Sequence, residues 1–81
     1  MAEKTFAVQT AEETRTAISK NLVSLRTANH LTQAELAEKL GVSTVTVHNW
    51  ECGRNLPKAK RLNDVAIALQ TTATELLQEA S

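Results

Sequence analysis

The sequence predicts an all-α fold, a bundle of five short helices behind a short N-terminal arm, and three observations lead there. Ala, Leu, Thr and Glu dominate the 81 residues, with two Gly and one Pro, a composition that favours helix over sheet. Ser or Thr followed three residues later by Glu, the reciprocal capping box that opens a helix, occurs at Thr10–Glu13, Thr32–Glu35 and Thr72–Glu75. After each of these starts apolar residues recur at helical spacing, and the connections are short enough that neighbouring helices must pack on each other.

In chain order, the first helix is expected from about Ala11 to Ala28, with Ile18, Leu22 and Leu25 at i, i+4 and i+7 on one face. The second runs over Gln33–Leu40. Leu36, Ala37 and Leu40 form its inner face, and Gly41 ends it in the left-handed conformation. Ser43 caps a third helix that reaches Glu51, with Val47 and Trp50 pointing inward. Pro57 suits the opening of a fourth, where a missing amide proton costs nothing, and Leu62, Val65, Ala66 and Leu69 stripe it. Leu76 and Leu77 are expected to anchor a short fifth. Residues 1–9 stand apart as the arm. There Thr5-Phe6-Ala7-Val8 suits a short strand or a staple onto the bundle, and a frayed, disordered terminus is the simpler reading. Residues 10–81 then make one domain, with its central motif at about 33–52.

Composition narrows the function classes. With no Tyr, one Phe and one Trp, the core must be aliphatic. A single cysteine, Cys52, excludes an intrachain disulfide framework and fits a reducing compartment. No apolar run approaches membrane-spanning length and Met1 to Thr10 lacks a signal-peptide core, so a soluble, cytoplasmic protein is expected. Net charge is zero, but its distribution is uneven. Arg26, Lys39, Arg54, Lys58, Lys60 and Arg61 face only Glu35, Glu38 and Glu51 in the central stretch.

That stretch holds two short helices joined at Gly41. A small residue, Ala37, stands where a steeply crossing helix would come nearest, and Leu36, Leu40, Val42, Val47 and Trp50 fill the space between. On a helical wheel Ser43, Val47 and Trp50 share one side of the third helix, with Glu51 beside them. Thr44, Val45, His48, Asn49 and Cys52 span the other. That outer arc suits base edges in a DNA groove. An Asn amide bridges adenine N6 and N7, a Thr hydroxyl bonds either kind of base, and valine methyls pack on a thymine methyl. Gln33 opens the second helix, where unpaired amides and the helix dipole attract a phosphate. Arg54 and Asn55 follow Gly53, and Lys58, Lys60 and Arg61 lie just beyond, placed to set register on a duplex.

The segment Leu31-Thr-Gln-Ala-Glu-Leu-Ala-Glu-Lys-Leu-Gly-Val-Ser, followed by Val47-His-Asn-Trp-Glu-Cys-Gly-Arg-Asn-Leu-Pro57, resembles the Cro/C1-type (Xre) helix-turn-helix family of phage repressors and bacterial regulators. The resemblance covers roughly Ile18 to Leu77. It implies a five-helix, lambda-repressor-like DNA-binding bundle acting on double-stranded DNA, commonly a palindromic operator bound by a homodimer. By position it implies base contacts from Thr44, Val45 and Asn49, with His48 at the edge of that surface. By position it also implies a phosphate contact from Gln33, to which the reading of the residues themselves adds Lys39, Arg54, Asn55 and Lys58. Arg26 and Glu51 occupy the places of a structural salt bridge between the first and third helices, and Ala73 to Leu77 the place where members dimerise. The neutral net charge and the arm depart from the pattern.

Plainer readings compete residue by residue. Val45 is also compatible with a lightly buried aliphatic, and the cations from Arg54 to Arg61 with an ordinary solvated cluster. Trp50 belongs to the core. His48 and Cys52, four apart, make half a zinc site at most, and two ligands do not make a site; no metal and no cofactor are expected. Cys52 as a redox switch rests on its position alone. No nucleophile–base pairing, phosphate loop or carboxylate pair points to an enzyme. The rival function is an antitoxin-like or accessory module whose main partner is a protein such as a toxin. The chain is also compatible with one DNA-binding domain of a longer regulator.

Overall fold

The computed structural model describes residues 11–78, so Thr10 and the arm lie outside the described residues. Five α-helices follow in order: α1 (Ala11–Ala28), α2 (Gln33–Leu40), α3 (Thr44–Cys52), α4 (Ala59–Ala68) and α5 (Ala73–Leu77). No strand occurs among the described residues.

Side-chain caps set the starts. At α2 the box closes both ways: Thr32 Oγ1 accepts from Glu35 N at 3.0 Å and Glu35 Oε1 accepts from Thr32 N at 2.8 Å. Ser43 Oγ accepts from Thr46 N at 3.1 Å to open α3. At α5 only half the expected box forms. Thr72 Oγ1 accepts from Glu75 N, but the Glu75 carboxylate turns away to the Thr71 hydroxyl. Pro57 is buried and precedes α4 as expected, one residue before Lys58, which caps the helix without a side-chain bond.

The ends share one pattern. After each of the first four helices a residue turns left-handed, and the amide beyond it reaches back across the last turn. These bonds are Leu31 N to Arg26 O, Val42 N to Ala37 O, Arg54 N to Asn49 O and Thr71 N to Ala66 O. Glycine fills the left-handed position twice, at Gly41 (φ 71°) and Gly53 (φ 79°). His30 (φ 58°) and Gln70 (φ 59°) fill it elsewhere, without the glycine that would have announced them. Gly53 lets α3 run to Cys52, one residue past the expected end.

The core is one aliphatic cluster around Trp50, formed by Ile18, Leu22, Leu36, Ala37, Leu40, Val47, Leu62, Val65, Ala66, Leu69 and Leu76. Leu25 and Val42 pack against it from half-buried positions. Leu77 does not join it. Consecutive residues on a helix diverge by about 100°, so in a five-residue helix Leu76 goes inward and Leu77 stays exposed. The α3 helix lies against both α1 and α2, while α5 closes the bundle against α1 and α4.

The four later helices also end on side chains from elsewhere. Arg61 Nη1 donates to Leu40 O at 3.0 Å, and Ser19 Oγ to Trp50 O at 3.0 Å. Asn29 Nδ2 donates to Leu69 O at 3.2 Å, and Asn21 Nδ2 to Leu76 O at 2.7 Å. The carbonyls of Leu40, Leu69 and Leu76 lie in last turns that lack an intrahelical donor, while Trp50 O also accepts from Gly53 N at 3.2 Å.

Candidate nucleic-acid interface

The α3 helix is held along its inner face and at both ends. Val47 and Trp50 are buried in the core, which turns the arc of Thr44, Val45, His48 and Cys52 to solvent, with Asn49 half-buried beside them. Val45 is 65% exposed, so its methyls lie on the outer surface of the helix.

Glu51 fixes the helix against its neighbours. Arg26 Nε donates to its Oε2 at 2.6 Å and Arg26 Nη2 to its Oε1 at 3.1 Å, a parallel two-bond pair. Gln33 Nε2 donates to the same Oε1 at 2.9 Å, and Arg26 Nη1 reaches Leu31 O at 2.7 Å. One carboxylate thus ties α1, the start of α2 and the end of α3. The Arg26 and Glu51 side chains are only 14% and 5% exposed, so water screens the pair little. The hydrogen bond to Glu51 holds the Arg26 guanidinium above its usual range; burial opposes this, and the carboxylate charge adds to it.

The loop after α3 is anchored from α1. Besides the Ser19 bond to Trp50 O, Arg15 Nη1 donates to Gly53 O at 3.3 Å and lies 3.5 Å from Arg54 O. Arg54 and Asn55 themselves stay exposed. Nothing local in sequence marks Ser19 or Arg15 for this task, because the groups they serve are 31 to 39 residues away.

The expected phosphate-contacting residues fall in different places. Gln33 stands at the start of α2, where first-turn amides have no intrahelical acceptor, but its own amide nitrogen is turned to Glu51. Lys39 sits at the far end of α2, on an open groove of about 400 Å³ lined also by Leu40, Arg61, Asp64, Ile67 and Ala68. Lys58 and Lys60 border the same Arg61 and Asp64. Among the described residues Arg54, Lys39, Lys58 and Lys60 have no ion-pair partner. Arg61 differs: it caps α2 and lies 3.6 Å from Asp64.

One expectation needs correction. A nucleophile–base pairing is present, since Cys52 Sγ and His48 Nε2 lie 3.4 Å apart. Both residues are exposed on the helix surface, and no group of three or more His, Cys, Asp or Glu able to hold a metal occurs among the described residues. No helix among them is long and apolar enough to cross a membrane.

The helix-turn-helix family model (HTH_3) matches residues 22–76. Over 59 residues the chain is 37% identical to the HTH-type transcriptional activator BcrR of Enterococcus faecalis, covering 73% of this chain and 29% of that protein. It is 34% identical over 59 residues to the cryptic phage CTXphi transcriptional repressor RstR of Vibrio cholerae, covering 73% of this chain and 53% of that one. The chain therefore spans about half the length of the repressor and less than a third of the activator. Among solved structures, the clp gene regulator ClgR of Corynebacterium glutamicum superposes with a TM-score of 0.72 at 32% identity, over 78% of this chain and 82% of that one. The same arrangement recurs in hydroxypropylphosphonic acid epoxidase from S. wedmorenis, with a TM-score of 0.80 at 26% identity over 88% of this chain but only 38% of the enzyme.

Proposed function

The chain belongs to the Cro/C1-type (Xre) helix-turn-helix family, and from that premise we propose that it is a sequence-specific, non-enzymatic regulator of transcription acting on cytoplasmic double-stranded DNA. It is a repressor that reads a palindromic operator as a homodimer, with α3 in the major groove. The observation that carries this reading is the exposed arc of α3, rich in groups suited to base edges, on a helix locked at one end by Ser43 and at the other by Glu51.

Thr44, Val45, His48 and Asn49 read bases in this proposal. Gln33, Lys39, Arg54, Asn55 and Lys58 hold phosphates, and the first-turn amides of α2 add the pull of the helix dipole. Glu51 is structural, because both its oxygens are engaged inside the protein. Repression needs only occupancy of the operator, whereas activation needs a second productive surface. The exposed Leu77 on α5 gives the homodimer an apolar contact.

Selection from a random duplex library, with the winners followed against salt, tests this. The expected result is a palindrome with half-sites about 34 Å apart and a steep loss of affinity with salt. An unenriched pool bound weakly at every salt concentration contradicts it. One observation favours the second reading, a protein-binding module of antitoxin type. Ile67 is 66% exposed on the groove beside Leu40 and Ala68. A stoichiometric complex with a co-expressed neighbouring toxin, abolished by Ile67→Glu, would support it; a homodimer that binds its operator and ignores the toxin opposes it.

A further inference from the structure

The exposed side of α3 is as informative for what it lacks as for what it carries. Its exposed residues are Thr44, Val45, His48 and Cys52, with Asn49 half-buried beside them and neither Arg nor Lys anywhere in the helix. Guanine is most often read by an Arg or Lys fork on O6 and N7, and cytosine N4 by a carboxylate. The one carboxylate in α3 is Glu51, whose side chain is 5% exposed and holds Arg26 and Gln33. One ring nitrogen of His48 is already met by the Cys52 thiol at 3.4 Å.

What remains suits A·T pairs. The Val45 methyls project into solvent, and the one apolar group on a base edge in the major groove is the thymine 5-methyl. The Asn49 side-chain amide has no hydrogen-bond partner among the described residues; its carboxamide matches adenine N6 and N7. Four residues of helix rise about 6 Å, which is about two base-pair steps.

We infer that α3 reads an A·T core in each half-site, with Val45 against a thymine methyl and Asn49 on an adenine about two base pairs away. This rests on the operator reading above and adds the class of sequence that fills it. The flanking cations then supply affinity without choosing the core.

The test uses the full chain on its selected operator, with each core thymine replaced in turn by deoxyuridine. That change removes one methyl and keeps every hydrogen-bonding group. Wild-type protein is expected to lose about fourfold in affinity at the contacted thymine of each half-site, the value of one buried methyl. Val45→Ala, at an exposed position where folding is not at risk, should lose clearly less than wild type on the same replacement, closing a double-mutant cycle. A G·C core, a deoxyuridine series with no effect, or the same loss in Val45→Ala as in wild type overturns the inference while leaving the operator reading in place. Absence of any selected sequence removes both.

Discussion

Arg26 and Glu51 meet as a parallel pair, Nε to Oε2 at 2.6 Å and Nη2 to Oε1 at 3.1 Å, joining the last turn of α1 to the last turn of α3. Arg26→Ala leaves the Glu51 carboxylate with Gln33 alone, and breaking a buried pair from one side costs about 3–5 kcal/mol. Replacing both, as Arg26→Met with Glu51→Leu, should recover much of that. Urea melts of the two single variants and the double decide it: a double variant as unstable as the sum of the singles would show that the pair is not one unit.

The same pair makes a statement about pH. Arg26 is raised above its ordinary range, so its contribution is full below the unfolded-state value and is lost only as pH rises through the still higher folded value. That window is strongly alkaline. Stability should therefore show no step from Arg26 across the neutral range, and a difference in slope there between wild type and the double variant Arg26→Met with Glu51→Leu would contradict the assignment.

Left-handed positions give a graded series. Gly41→Ala meets no atom within 4 Å and should cost only the backbone strain, about 1 kcal/mol. Gly53→Ala should cost more, because the added methyl lies 3.3 Å from Ser19 Oγ, the group that caps Trp50. His30→Gly should stabilise by about 0.5 kcal/mol or more, relief of strain being partly offset by unfolded-chain entropy. Thermal unfolding of the three variants tests the order, and equal losses for the two glycines would refute the Ser19 argument.

Base and phosphate roles separate by specificity. Asn49→Ala should cost about 1–3 kcal/mol on the best site and relax selection there. Gln33→Ala should weaken binding on every sequence by a similar factor, since it combines loss of a backbone contact with loss of its bond to Glu51. Competition assays against specific and random duplexes distinguish them. Equal losses for Asn49→Ala on both duplexes would sink the adenine assignment.

Lys58 and Arg61, three residues apart, should behave differently. Lys58→Ala is expected to lower the salt slope of DNA binding by about one with little change in stability. Arg61→Ala is expected to destabilise by about 1 kcal/mol or more, because it strips the cap from Leu40 O. Paired salt titrations and melts read this out, and a Lys58 variant with an unchanged slope would remove that residue from the phosphate surface.

Legibility in the sequence followed the range of each interaction. Thr32, Ser43 and Gly41 act on groups within a few residues, and their roles were readable from spacing alone. So were the inward positions of Val47 and Trp50 and the outward position of Val45, because α3 has a definite helical phase. The role of Gly53 as the terminator of α3 was available in principle, yet Arg54 and Asn55 drew the reading toward the loop. His30 and Gln70 carry little signal: histidine is only modestly enriched in the left-handed turn and glutamine is not, so neither announces it as glycine does. Ser19, Asn21, Asn29 and Arg61 cap carbonyls 21 to 55 residues away, a relation that exists only once the helices have been placed. The pairing of Arg26 with Glu51 was read through family resemblance; the bond from Gln33 to the same carboxylate was not foreseen.

The caps that pass between helices bear on how the domain comes apart. In many helical proteins a terminal helix frays on its own and leaves the remainder intact. Here releasing α1 exposes the carbonyls at the ends of α3 and α5 as well as the core, and releasing α4 does the same to α2. Partial opening thus exposes apolar surface and also exchanges these side-chain caps for bonds to water, about 0.5–1.5 kcal/mol each. The hydrogen-bonded amides of α3, from Val47 onward, should exchange with deuterium mainly through whole-domain opening, keeping the outer arc of the helix in place for as long as the domain is folded.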